Sequence, residues 1–130
     1  MNHDLILIAE DDPDIRELVA LAVERAGFRA VGAKDGNTAA RIVTVAKPIG
    51  VVTDVRMPAL NGMELTQMIR RTPAIAETAV LMVSAHAHTY DIDAGLESGA
   101  DLYVPKPFSP RQVVTELAAL IDRKGLRPFG

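Results

Sequence analysis

Short apolar runs alternate along the chain with longer segments in which apolar residues recur at helical spacing. The first run, Leu5–Ala9, contains no polar residue, which is typical of a strand buried on both faces of a sheet. The segment from Pro13 to Gly27 repeats apolar residues every three or four positions. This spacing predicts a helix that Asp12 caps and that the glycine ends.

The same strand-then-helix unit is repeated to the end of the chain. The further predicted strands are Phe28–Ala33, Ile49–Thr53, Ala79–Val83 and Leu102–Val104. Helices are predicted from the turn at residues 35–37 to Pro48, from Asn61, from about Thr89 to Ser98, and from Ser109 to Gly125. Five strands alternating with five helices predict an α/β fold, a single doubly wound five-stranded parallel sheet covered on both faces. One domain over residues 1–125 and a C-terminal tail over residues 126–130 are expected.

Composition narrows the classes of function. The 130 residues carry a formal net charge of −3, 48% hydrophobic residues, no cysteine and no run of basic residues. Disulfides and thiolate metal sites are therefore excluded, and bulk electrostatic attraction to nucleic acid or anionic lipid is not indicated. The N-terminal apolar stretch is too short for a signal peptide or a membrane span. We expect a cytoplasmic protein that binds neither nucleic acid nor membrane directly.

Polar residues follow the predicted strands at their carboxyl ends. Glu10, Asp11 and Asp12 follow the first strand, Asp54 the third, Ser84 the fourth and Lys106 the fifth. Each residue alone has an ordinary explanation, such as a turn, a strand-end hydrogen bond or a solvated lysine. The carboxyl ends of parallel strands meet at one edge of the sheet, where ligands bind in folds of this class. The ordered set therefore predicts a site at this edge.

The residue types at this edge suit phosphoryl transfer assisted by a metal. Crowded carboxylates resist shared ionisation, and a hard divalent cation such as Mg²⁺ relieves that repulsion while accepting oxygen ligands. Asp54 would then attack phosphorus as a nucleophile, with Lys106 as a counter-charge and the Ser84 hydroxyl as a donor to the phosphoryl oxygens. An aspartate at position 12 is more often a helix cap than a metal ligand, so Asp12 is expected to cap the first helix.

The motifs "LILIAEDDPDIREL", "VVTDVRMPALNGMEL", "VLMVSA" and "GADLYVPKPF" resemble, in this order and spacing, the receiver domain of two-component response regulators. The resemblance covers roughly Asp4 to Lys124 and implies a CheY-like, flavodoxin-like fold with strand order 2-1-3-4-5. It also implies a signalling domain that catalyses its own phosphorylation and dephosphorylation and is not an enzyme acting on other substrates.

The resemblance assigns a metal site and a phosphoacceptor. Asp54 would accept the phosphoryl group, Asp11 would bind Mg²⁺ directly, and Glu10 would hold it mainly through water. The backbone carbonyl of Arg56 would complete the protein ligands, together with Asp54 itself. Mn²⁺ is expected to substitute for Mg²⁺. We further hypothesise that the Arg56 side chain reaches over the phosphoryl group and slows hydrolysis; the alternative is a solvated loop side chain.

The resemblance also assigns a conformational switch. Ser84 and Lys106 would hold the phosphoryl group, and Tyr103 would swing inward as Ser84 moves. The peptide bond between Lys106 and Pro107 would be cis. The face built from the fourth helix, fifth strand and fifth helix would then change shape by population shift.

The implied partners are a phosphoryl donor and an output. The donor would be a histidine kinase or a histidine phosphotransfer protein. The output would be a downstream protein partner or an output domain, since the chain fits both a stand-alone receiver and part of a longer regulator. A monomer or a weak phosphorylation-dependent dimer is expected, and the particular kinase stays open.

Other classes of function fit the same residues less well. An FMN-binding carrier needs a loop rich in serine, threonine or glycine after the first strand, where this chain is acidic. A phosphatase of the aspartyl-phosphate type needs a second aspartate two residues after its nucleophile, where this chain has Arg56. A degenerate receiver would lack site residues that are all present here. His86 and His88 form a weak candidate for a metal pair, because no partner carboxylate is evident.

Overall fold

The computed structural model describes residues 2–86 and 88–127 and contains one parallel five-stranded sheet in the order β2-β1-β3-β4-β5. The strands are β1 (Asn2–Ala9), β2 (Arg29–Ala33), β3 (Pro48–Asp54), β4 (Ala79–Ser84) and β5 (Leu102–Pro105). The helices are α1 (Pro13–Arg25), α2 (Gly36–Ala46), α3 (Gly62–Arg71), α4 (Thr89–Glu97) and α5 (Pro110–Arg123), with a 3-10 turn at Pro73–Ile75. The predicted fold class and strand order are confirmed.

Several strand ends differ from the predicted bounds because pairing extends beyond the apolar runs. β1 begins at Asn2, which pairs with Pro48 and whose amide donates to the carbonyl of Lys47 at 2.8 Å. At the carboxyl edge, Asp54 and Ser84 are the last residues of β3 and β4 and do not lie beyond them. Their backbones are therefore fixed by the sheet ladder.

Helices α1, α3 and α5 begin at the predicted polar residues Asp12, Asn61 and Ser109. The Asp12 carboxylate accepts from the amides of Asp14 at 2.9 Å and Ile15 at 3.3 Å, which confirms its role as the cap of α1. Asn61 and Glu64 form a reciprocal capping box at the start of α3. These caps fix the points where the chain leaves the carboxyl edge of the sheet.

Two apolar cores lie on opposite faces of the sheet. One contains Ile6, Ile8 and Leu81 from the strands and packs under α1 and α5. The other contains Leu7 and Val80 and packs under α2 and α3. Alternate residues of the central strands thus point to different cores, and both are buried, as the uninterrupted apolar runs predict.

The amino-terminal edge of the sheet is held by a charged network centred on Asp101. Its carboxylate accepts from Arg70 Nη2 at 2.9 Å, from the Val80 amide at 2.9 Å and from Lys124 Nζ at 3.1 Å. Arg70 also donates to the carbonyl of Gly99 at 2.8 Å. The network ties α3, β4 and α5 together on the side of the molecule opposite the acidic edge.

Leu126 and Arg127, beyond the predicted domain boundary, still contact the folded domain. The Leu126 amide donates to the carbonyl of Ile121 at 3.2 Å, and the Arg127 guanidinium lies 4.3 Å from the centre of the Phe28 ring. Residues 128–130 of the predicted tail lie outside the described residues, so the boundary at residue 125 stays a prediction. In the described part of the chain, every helix is too short or too polar to cross a membrane.

Candidate functional site

Three carboxylates meet at the carboxyl edge of the sheet. Ligand oxygens of Glu10, Asp11 and Asp54 all lie within 4.8 Å of one another. β1 and β3 are adjacent and parallel, and Ala9 pairs with Thr53, so the residues that follow this pair leave the sheet together. Residues 2–86 and 88–127 contain no other such group of three, and neither His86 nor His88 belongs to one. The predicted convergence of the acids is confirmed.

Lys106 lies between two of these acids. Its Nζ is 2.6 Å from Asp54 Oδ2 and 3.0 Å from Glu10 Oε1, and its side chain is one-fifth exposed. Desolvation lowers the pKa of Lys106, but its hydrogen bonds to Asp54 and Glu10 outweigh this and raise the pKa overall. The ammonium therefore stays charged and neutralises much of the repulsion between the acids.

The loop that carries Lys106 is fixed at its start. The Lys106 amide donates to the carbonyl of Ser84 at 2.7 Å, and the bond to Pro107 is cis, as the resemblance implies. β5 pairs with β4 along its length, with Pro105 beside Ser84. The pairing of β5 with β4 therefore places the backbone of Lys106 beside the acidic cluster.

Glu10 is the most deeply buried of the three acids. It is 3% exposed, while Asp11 beside it is exposed. Burial raises the pKa of Glu10 to about 7, against the opposing hydrogen bonds from Lys106 and from the Asp12 amide. Its Oε2 accepts from that amide at 3.1 Å. The two adjacent acids therefore occupy very different environments.

Asp54 is held by its backbone and by both carboxylate oxygens. Its Oδ1 accepts from the Arg56 amide at 3.2 Å, while Oδ2 accepts from Lys106. The residue is 7% exposed. A Cβ at Gly62 would lie 2.2 Å from the Asp54 carbonyl oxygen, so only glycine allows α3 to begin this close to the end of β3. The Arg56 side chain is exposed.

Ser84 lies on the strand next to Asp54. Asp54 pairs with Val83, the residue before Ser84. Ser84 is 1% exposed. The Ser84 hydroxyl oxygen accepts from the His86 amide at 3.0 Å. The predicted hydroxyl is thus at the acidic edge, engaged with the loop that follows its own strand.

Tyr103 reaches the same loop from β5. Its hydroxyl donates to the carbonyl of His86 at 2.5 Å, and its half-buried ring packs on the core that includes Met82. A Cβ at Gly95 of α4 would lie 2.6 Å from Tyr103 Cδ2 and 3.1 Å from Met82 Sδ. The helix therefore has glycine where the tyrosine ring passes. Sequence reasoning missed Gly95, although a glycine inside a helical pattern is a recognised sign of close packing.

The donor set fits a hard divalent cation. All three acidic groups offer oxygen, and Mg²⁺ prefers oxygen ligands with only one or two protein carboxylates in its inner shell. The exposed Asp11 leaves one side of the cluster open to water. The geometry thus defines a class: a parallel α/β protein with an acidic, oxygen-lined pocket, a buried aspartate and a paired lysine at one sheet edge.

Comparison with known proteins places the chain in a family. The model of the response regulator receiver domain matches residues 6–118. The chain belongs to this family of phosphoryl-accepting domains of two-component signal transduction. It is 35% identical over 120 residues to the phosphate regulon transcriptional regulatory protein PhoB of Pseudomonas aeruginosa, covering 92% of this chain and 52% of that protein. It is 36% identical to the alkaline phosphatase synthesis transcriptional regulatory protein PhoP of Bacillus subtilis, covering 91% of this chain and 48% of that protein.

Solved structures agree with this assignment. The receiver domain of the Francisella response regulator 1452 superposes with a TM-score of 0.86 at 30% identity, covering 92% of this chain and 98% of that one. The chemotaxis response regulator CheY4 of Vibrio cholerae superposes with a TM-score of 0.83 at 26% identity, covering 89% and 97%. The chain spans about half the length of the curated relatives it matches and nearly the whole of these receiver domains.

Proposed function

We propose that Asp54 is the phosphoacceptor of this receiver domain. The observation that carries the proposal is the position of its carboxylate, buried at the end of β3, bonded to Lys106 and grouped with Glu10 and Asp11. Phosphoryl transfer requires mainly positioning and neutralisation of charge, and this pocket offers both. Asp54 would attack phosphorus through one carboxylate oxygen as the bond from phosphorus to the donor breaks.

We propose that the pocket holds Mg²⁺, with Mn²⁺ as a substitute. Asp11 and Asp54 would bind the metal directly, with the Arg56 carbonyl, and Glu10 would act mainly through water. Once bound, the metal would neutralise charge on the transferring phosphoryl group. The exposed Asp11 lies at the open side of the cluster, where a bound Mg²⁺ would keep its water ligands, and this supports a direct role for Asp11.

Lys106 would serve both states of the pocket. Without a phosphoryl group it bridges Asp54 and Glu10. After transfer it would follow the new negative charge on the phosphoryl oxygens, since its flexible stem carries a point charge that tolerates a shift of its partner. Ser84 would exchange the His86 amide for a hydroxyl bond to the phosphoryl group, and Tyr103, bonded to the same loop, would respond.

The proposed partners follow from family membership. A histidine kinase or histidine phosphotransfer protein would supply the phosphoryl group, and self-catalysed hydrolysis would remove it. The two relatives described above are transcriptional regulators by name, which supports control of an output domain or of a separate protein partner. The face formed by α4, β5 and α5 would transmit the change, through Tyr103.

Intact-protein mass spectrometry tests the proposal. The parent, Asp54→Asn, Asp11→Asn and the exposed control Asp14→Asn are incubated with acetyl phosphate, with and without Mg²⁺. The parent and Asp14→Asn are expected to gain one phosphoryl mass in the presence of Mg²⁺. Asp54→Asn is expected to gain none, and Asp11→Asn far less than the parent. A folded parent that binds Mg²⁺ and gains no mass would contradict the proposal.

A further inference from the structure

Arg16 holds the backbone of the acidic turn from the first helix. Its Nη1 donates to the carbonyl oxygen of Glu10 at 2.8 Å. The amide of Glu10 donates in turn to the carbonyl of Ala33 at the end of β2, at 3.0 Å. Both backbone groups of the buried acid therefore have partners, one from β2 and one from the Arg16 side chain.

Gly32 on β2 leaves space for the aliphatic part of the Arg16 side chain. A Cβ at Gly32 would lie 2.9 Å from Arg16 Cδ and 3.3 Å from its Cγ. Gly32 pairs with Ile8, two residues before Glu10. A glycine inside a strand weakens it and often marks close approach of another group. Here the group that approaches is the arginine that bonds Glu10.

Helix stability does not explain this arginine. Arg16 lies early in α1, where the helix dipole disfavours cations, and the cap of this helix is the separate residue Asp12. A positive charge close to a cation pocket also repels the cation. The hydrogen bond to the Glu10 carbonyl, made from a half-buried position, offsets these two unfavourable interactions.

We propose that Arg16, with the space left by Gly32, is a positioning residue that fixes the Glu10–Asp11 turn in the geometry that accepts a divalent cation. The inference rests on the proposed function, because it assigns Arg16 to the same pocket. Arg16 touches neither the cation nor the phosphoryl group in this account. It acts through the Glu10 carbonyl, and so determines where the two acidic side chains begin.

The direction in which Mg²⁺ affinity changes when Arg16 is replaced distinguishes a positioning role from a purely electrostatic one. Removing a cation beside a metal site tightens metal binding by Coulomb's law. Removing a group that orients the ligands weakens it, by about tenfold for partners of this kind. Arg16→Met keeps an unbranched stem over Gly32 and removes both the charge and the donors. It is therefore expected to weaken binding of Mg²⁺ by about tenfold, against the electrostatic direction.

The experiment measures Mg²⁺ and Mn²⁺ dissociation constants by calorimetry in the full chain. Arg16→Lys, which keeps the charge and a donor, is expected to bind more tightly than Arg16→Met and less tightly than the parent. Gly32→Ala, which displaces the stem while leaving the arginine in place, is expected to weaken binding in the same direction. Arg25→Ala removes an exposed arginine from the far end of α1 and is the control expected to match the parent. Equal or tighter binding by both Arg16→Met and Gly32→Ala would overturn the inference.

A second readout needs no metal. In the metal-free parent, backbone ¹⁵N relaxation should show the Glu10 and Asp11 amides as ordered as the β1 strand. In Arg16→Met these two amides should gain motion or exchange broadening while the core of β1 is unchanged. Unchanged relaxation would overturn the inference even if the parent bound no Mg²⁺. A parent that binds no Mg²⁺ but shows this loss of order in the variant would contradict the proposed function and leave the positioning role of Arg16 standing.

Discussion

Lys106 Nζ lies 2.6 Å from Asp54 Oδ2, so the proposed phosphoacceptor is ion-paired with a lysine. The same ammonium contacts Glu10, and the side chains of the two acids are only 10% and 4% exposed. The acidic edge is therefore a pocket with an internal counter-ion. Under the proposed function, a metal ion and a phosphoryl group would rearrange this pairing.

Lys106→Met should destabilise the metal-free protein. Removing one partner of a largely buried ion pair leaves uncompensated charge, and here two carboxylates lose the same cation. Because Lys106 is partly exposed, a loss of about 2–4 kcal/mol in the free energy of unfolding is expected. Urea unfolding measures it, with the exposed Lys34→Met as control. Added Mg²⁺ should restore part of the loss. A variant as stable as the parent without metal would show that the pair is not a structural element.

Metal-free stability should depend on pH through Glu10. The folded-state pKa of Glu10, about 7, is raised above its ordinary value of 4.5 by burial. The folded state therefore binds a proton more tightly than the unfolded chain, and this contribution to stability is fully present below pH 4.5 and is lost as pH rises through 7. Mg²⁺ competes with that proton, so metal affinity should increase across the same interval. Unfolding and calorimetric titrations between pH 5 and 8 measure both, and Glu10→Gln should flatten both profiles. A Glu10→Gln variant with the slope of the parent would contradict this account.

Gly95→Ala should disturb Tyr103. Alanine is better than glycine in a helix by about 1 kcal/mol, but its Cβ would press on the tyrosine ring. The variant is expected to be less stable than the parent and to shift the ¹⁹F resonance of fluorotyrosine at position 103. Ala94→Gly, at an exposed neighbouring position, measures the helix preference alone and should leave that resonance in place. An unchanged resonance in Gly95→Ala would show that α4 shifts to accommodate the added methyl group and does not determine the position of the Tyr103 ring.

Asp101→Ala should loosen the amino-terminal edge without affecting the pocket. The substitution removes the acceptor of Arg70, Lys124 and the Val80 amide together. The group is partly exposed, so we expect a loss of about 1–3 kcal/mol in unfolding free energy. Mg²⁺ affinity, measured in parallel, should match the parent because the network lies at the opposite edge of the sheet. A large change in metal affinity would indicate coupling between the two edges.

The sequence pattern predicted the parallel α/β sheet and the meeting of polar residues at one of its edges, whereas the strand order came from the family resemblance. Uninterrupted apolar runs predicted buried parallel strands, and the polar residues at their ends were expected at one edge. That expectation holds because parallel strands have only one carboxyl edge. The role of Asp12 as a cap was also predicted correctly, since capping depends on local backbone geometry alone.

What the pattern did not predict depends on the directions of side chains from distant elements. Glu10 and Asp11 are adjacent in sequence, yet only one is buried, because the pleat of β1 and the turn after it point them differently. The bridge by Lys106 depends on the loop after β5, and the contact of Arg16 with Glu10 depends on the absence of a side chain at Gly32. None of these relations has a periodicity that a single sequence displays.

Chemical mapping of the phosphorylated residue tests whether Asp54 carries the phosphoryl group. The parent is phosphorylated with acetyl phosphate and Mg²⁺, reduced with borohydride, which converts an acyl phosphate to an alcohol, digested and sequenced by mass spectrometry. We expect homoserine at position 54 in the Mg²⁺ sample and none when Mg²⁺ is replaced by a chelator. Homoserine at position 11 or 12, or phosphate retained on a histidine or serine with position 54 unmodified, would contradict it.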